Sequence, residues 1–131
     1  MPATPDPTEV DLLLAALRRQ LPDLIGSVVA SSDGLLVTHD LPARIEPTGM
    51  AALISTQLAL SQRLVDTALG TELEELVVCG PAGHVAVYAA GPKAILGVLG
   101  TGSATVGRTH LESRPIAQRI AEVLGRTTGD R

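Results

Sequence analysis

Apolar positions along the chain recur with two periods, and the switches between them divide it into helices and strands. Val10, Leu13, Leu14, Leu17 and Leu21 recur at helical spacing behind Thr8 and Asp11, a capping-box pair, and Pro22 ends this first helix. Ser27 to Ser32 and Leu35 to His39 are short β-rich runs on either side of Asp33-Gly34, a strong hairpin signal. A second helix starts at Pro47, runs to Leu69 and stops at Gly70. Its wheel places Met50, Leu53, Ile54, Leu58, Leu60, Leu64, Val65 and Ala68 on one half. Ala52, Ser55, Thr56, Ala59, Gln62, Arg63 and Asp66 occupy the other, outer half, where small side chains allow a close approach.

Three strands follow, Leu73 to Gly80, His84 to Ala90 and Lys93 to Leu99, joined by Gly/Pro connections short enough to make them antiparallel neighbours. A third helix extends from about Thr105 to Leu124 and stops at Gly125. Pro115 inside it cannot donate to the Leu111 carbonyl, which predicts a kink or two pieces. The order predicts an α+β domain, an antiparallel sheet with helices on both faces. Residues 8–124 make this single domain, with a disordered tail at 1–7 and a second tail at 125–131.

Composition narrows the picture. A chain of 131 residues is sized for one core, and with no Phe or Trp that core is built from Leu, Val, Ile and Ala. A net charge of -4 argues against nucleic acid as a partner. The lone Cys79 and an N-terminus without a secretory pattern point to a reducing, cytoplasmic location. Leu76 to Gly100 is the most apolar stretch, but glycines and prolines cut it into pieces too short for membrane insertion.

Candidate chemistry is sparse. SSDGLLVTHD gathers Ser31, Ser32, Asp33, His39 and Asp40, the residue types of a hydrolytic triad. A two-residue loop at Asp33-Gly34 pairs His39 with Val28, so His39 lies roughly 15–20 Å from Ser32 and Asp33, beyond proton transfer. Cys79 and His84 flank Gly80-Pro81-Ala82-Gly83 and stand opposite each other in one register but not in the alternative with a bulge at Gly83. As a pair they offer a thiol or hydrolytic enzyme as a reading of another class. His39, His84, His110 and Cys79 lack metal-ligand spacing. Gly97 to Thr105 sits between a strand and a helix, yet Thr105 stands where a dinucleotide fingerprint needs Gly or Ala, and no Gly-Lys-Ser/Thr occurs. No cofactor is expected.

LRRQLPDLIGSVVASSDGLLVTHDLP, a helix, ELEELVVCGPAGHVAVYAAGPKAILGVLG and a closing helix together resemble the roadblock family, relatives of a dynein light chain. The resemblance spans Val10 to about Leu124 and rests on order and spacing. It implies a profilin-like fold, with a five-stranded sheet in the order 2-1-5-4-3, the first and last helices on one face and the middle helix on the other. It also implies a homodimer, in which the third strand pairs with its copy and the middle helices pack antiparallel. The implied interface is Ala52, Ser55, Thr56, Ala59, Gln62, Arg63 and Asp66 with Leu73, Glu75, Val77 and Cys79. The function so implied is a noncatalytic regulator of a small Ras-like GTPase, either an activating protein or a scaffold that tethers a GTPase or a sensor-kinase-like protein. Pro115 departs from the family's arginine-rich closing helix.

Overall fold

The computed structural model describes residues 8–129, and the tail expected at 1–7 lies outside them. The elements are α1 (Glu9–Gln20), β1 (Leu24–Ser31), β2 (Leu36–Asp40), α2 (Pro47–Leu69), β3 (Leu76–Gly80), β4 (Gly83–Ala89), β5 (Ala94–Thr101) and α3 (Val106–Gly129). They form one antiparallel sheet in the order β2-β1-β5-β4-β3. α1 and α3 cover one face around Leu14, Leu17, Val29, Leu96, Val98 and Ile120. α2 covers the other around Val28, Ala30, Ala51, Ile54, Val87 and Ile95. Each fully buried aliphatic side chain contributes about 1.5–3 kcal/mol, so Leu, Val and Ile suffice without large aromatics.

Local signals place the helices as expected. Thr8 and Asp11 form the reciprocal capping box of α1. The Glu46 carboxylate accepts from the backbone N–H groups of Thr48 and Gly49, and Gly70 ends α2 in the left-handed region at φ 69°. His39 pairs with Val28, as the hairpin reading requires, but by a different route. Ser31 accepts from Gly34 N–H and donates to the Leu35 carbonyl, so the loop has three residues, with Gly34 at φ 94°. Val37 is then the extra residue of a bulge, which restores the register and turns Leu36 toward α2 and Thr38 toward Asp11 of α1.

Four expectations are corrected. The third strand begins at Leu76, not Leu73: the Leu73 N–H is drawn away to the Gln62 side chain at 3.2 Å. α2 turns a different side to the sheet. Ala51, Ile54, Ser55 and Ser61 are buried, whereas Leu53, Leu60 and Leu64 point outward. The β5 surface selects this side, because Gly97 leaves a hollow that Ile54 fills: a Cβ on Gly97 would sit 3.0 Å from the Ile54 Cδ1. α3 is one unbroken helix through Pro115, since Pro115 and Leu111 both lie on the solvent side. It also passes Gly125, where the tail was expected, and Arg126 reaches Glu9 of α1 at 3.2 Å. That tie, with half-buried Val123 and Leu124 packed on the core, offsets the roughly 1 kcal/mol a helical glycine costs.

Candidate partner-binding face

The two edges of the sheet differ. On β2, the Arg18 guanidinium bonds the Asp40 carboxylate at 2.6 Å and the Ile25 carbonyl at 3.0 Å, and the bulge at Val37 interrupts the strand. These features blunt an edge against pairing. β3 has neither. Among the described residues it pairs only with β4; it carries no charged residue, and it exposes Val78, Cys79 and Gly80.

The two helical layers differ in the same sense. On the α1/α3 side, Arg108 pairs with Glu112, Arg114 with Glu75, Arg119 with Glu122, and Arg126 with Glu9. Among the described residues α2 makes no ion pair, and its outward leucines are 66% (Leu53), 61% (Leu60) and 67% (Leu64) exposed. A salt-bridged helical surface suits water, whereas an apolar helix ridge and an open strand edge each suit a partner.

Of the interface residues suggested by the sequence, Ala52, Thr56, Ala59, Arg63 and Asp66 are exposed along one flank of α2, and Cys79 is exposed on β3. The others are buried or half-buried. Ser55 is buried beneath the β1–β2 turn, with its hydroxyl donating to the Ala52 carbonyl at 3.0 Å. Half-buried Gln62 holds the Leu73 backbone, which lies before β3. Val77 packs into the α1/α3 core. Glu75 is gripped by Arg114, with Arg114 Nη2 at 2.8 Å from its Oε1, and lies 3.7 Å from His110. Leu53, Leu60, Leu64 and Val78, which the sequence did not mark as surface residues, are exposed. On a helix with apolar residues most of the way round, only the shape of the sheet decides which of them point out.

α3 is fastened to β4 by consecutive side chains. The Thr109 hydroxyl donates to the Thr105 carbonyl at 3.1 Å, so at 2.9 Å it accepts the Nε2–H of His84. Tyr88 OH lies 2.7 Å from His110 Nδ1, and burial pushes the Tyr88 phenol up to about 12. Cys79 does stand opposite His84, but the imidazole is buried beneath α3 with Nε2 committed to Thr109. Gly100 makes room for that ring: a Cβ there would lie 2.7 Å from His84 Cε1. Val28 pairing keeps His39 distant from Ser32 and Asp33. Among the described residues no three His, Cys, Asp or Glu side chains gather as a metal site, and no helix is long and apolar enough to cross a membrane.

These linkages set a pH dependence. Burial, and then His110, hold His84 below its ordinary value of 6.5. As pH falls below about 6.5 the unfolded chain takes up this proton before the folded one, so stability drops until the folded-state imidazole titrates. Arg114 likewise lowers Glu75 and Thr38 lowers Asp11, and their contributions are lost at still lower pH. Urea unfolding from pH 7.5 to 5 is expected to show falling stability that His84→Gln flattens. Equal slopes in both proteins would contradict this assignment.

A sheet in the order 2-1-5-4-3 between a helix pair and a single long helix defines the class of profilin-like α/β sandwiches. Within that class, the Roadblock/LC7 domain model matches residues 10–100, and the chain belongs to this family. A solved structure described as MglB with tetrameric arrangement is 19% identical, with 96% of this chain and 98% of that one covered, at a TM-score of 0.81. A Roadblock/LC7 domain from Streptomyces avermitilis is 23% identical over 89% of this chain and 98% of its own, at 0.79. Acanthamoeba castellanii profilin IA, 9% identical over 83% and 96%, shares the fold at 0.57. A comparison with curated protein sequences finds no match.

Proposed function

We propose that this chain is a noncatalytic homodimeric regulator of a small Ras-like GTPase. The observation that carries the reading is the contrast between faces: an α2 surface without ion pairs and with three outward leucines, together with an unprotected β3 edge, in a member of the Roadblock/LC7 family. Pairing of β3 with its copy removes the open edge, and the small flank of α2, Ala52, Thr56 and Ala59, lets the two helices approach. Leu53, Leu60 and Leu64 point away from the sheet and remain available to a second protein. The tetrameric arrangement described for the MglB relative is consistent with self-association.

Ala59→Arg is expected to raise the dimer dissociation constant at least tenfold without changing thermal unfolding, because the side chain is exposed in the single chain. Sedimentation velocity checks it, and an unchanged constant would remove Ala59 from the interface. GTP hydrolysis by the purified GTPase, with and without the chain, tests the regulatory step. Faster turnover identifies an activator. Binding with unchanged turnover identifies a scaffold and removes the activator reading.

A further inference from the structure

Where α1 ends and α3 begins, the α1–β1 and β5–α3 connections close around a cavity of about 230 Å³. Pro22 stops α1, and the chain turns into β1 with the Leu24 N–H donating to the Leu21 carbonyl at 3.1 Å. The second connection is tied to the first by the Thr101 N–H, which donates to the Asp23 carbonyl at 2.9 Å. Buried Leu21 and Leu24 give the cavity an apolar side, and exposed Asp23, Ser103 and Arg108 give it a polar one.

Opposite charges border this cavity without meeting. Asp23 makes no ion pair among the described residues. Arg108 turns Nε to Glu112 at 3.4 Å and Nη2 to the Gln20 carbonyl at 3.2 Å, and its Nη1 has no partner among the described residues. We propose that the cavity binds a free aliphatic amino acid, its carboxylate on Arg108, its ammonium on Asp23 and its side chain against Leu21 and Leu24. The volume lies below the roughly 300–1,000 Å³ of sites for drug-sized ligands, which limits the occupant to a molecule of this scale. An anion alone is opposed by Asp23, a cation alone by Arg108, and a purely apolar group leaves both charges without a partner. A zwitterion with a short apolar arm matches all three parts, through charge-assisted hydrogen bonds at one end and buried aliphatic surface at the other. The site is independent of self-pairing and of the GTPase.

Titration of the full chain with L-leucine, followed by the amide resonances, tests it. Saturable shifts below about 10 mM are expected at Asp23, Leu24, Ser103 and Arg108. N-acetyl-L-leucine lacks the ammonium and L-leucinamide lacks the carboxylate, and each is expected to bind the wild type at least about tenfold more weakly. Arg108→Gln and Asp23→Asn are expected to weaken L-leucine by the same factor. Both side chains are exposed, and unchanged resonances away from the cavity confirm that the variants fold. The two leucine derivatives test the wild type whatever the variants do. No saturable shift below about 10 mM, shifts confined to another part of the chain, or derivatives that bind within about tenfold of L-leucine overturn the site. Folded variants that bind L-leucine within about tenfold of the wild type overturn it as well.

Discussion

Gly83→Ala lowers the unfolding free energy by about 2–5 kcal/mol, the combined cost of overpacking and of a backbone conformation that side chains avoid. Gly83 opens β4 at φ 152°, and a Cβ there would lie 2.1 Å from the Gly100 carbonyl oxygen. The obstacle is the backbone of β5, so relief requires the two strands to part where Gly83 faces Thr101 and His84 faces Gly100. The His84 to Thr109 bond and the seating of α3 are built on that same contact. Gly80, across the turn on β3, is the control: a Cβ there meets nothing within 4 Å, and Gly80→Ala is expected to stay within about 1 kcal/mol of wild type. Urea denaturation of both variants checks the pair. A Gly83→Ala midpoint equal to that of Gly80→Ala would contradict the packing described for this end of the sheet.

The second large effect is on partner binding. Replacing Leu60 and Leu64 together by arginine is expected to weaken capture of the GTPase by about 100-fold or more, the loss typical of removing central apolar anchors. Both side chains are more than 60% exposed, so the same variant should unfold at the wild-type temperature. Binding measured by calorimetry, beside thermal unfolding, separates a lost surface from a lost fold. Undiminished binding would move the partner to another face.

Much of this fold was legible because local chemistry and global order agree. Thr8 with Asp11, Pro47, Gly70 and Asp33-Gly34 mark the ends and turns they were expected to mark, and the roadblock resemblance supplied the strand order. The proposed binding face was less legible for a specific reason. α2 carries apolar residues around most of its circumference, so periodicity could not decide between Leu53, Leu60 and Leu64 and the smaller Ala51, Ser55 and Ser61 as its inner side. The hollow at Gly97, made by a residue on a strand more than thirty positions away, decides it. Glu75 was similarly hard to place: it lies just before β3, and Arg114 of α3 holds its carboxylate. Pro115 and Gly125 carry strong local signals that tertiary packing overrides, because a solvent-facing proline and a glycine tied down by Arg126 leave α3 intact.

The central claim is that this chain recognises a small Ras-like GTPase without chemistry of its own. Isothermal titration of the full chain with the purified GTPase, loaded in turn with GTP and GDP, tests it most directly. The account predicts saturable binding in at least one nucleotide state with a dissociation constant of about 10 µM or tighter, equivalent to roughly 7 kcal/mol. Absence of binding in both states at concentrations of about 100 µM would contradict it.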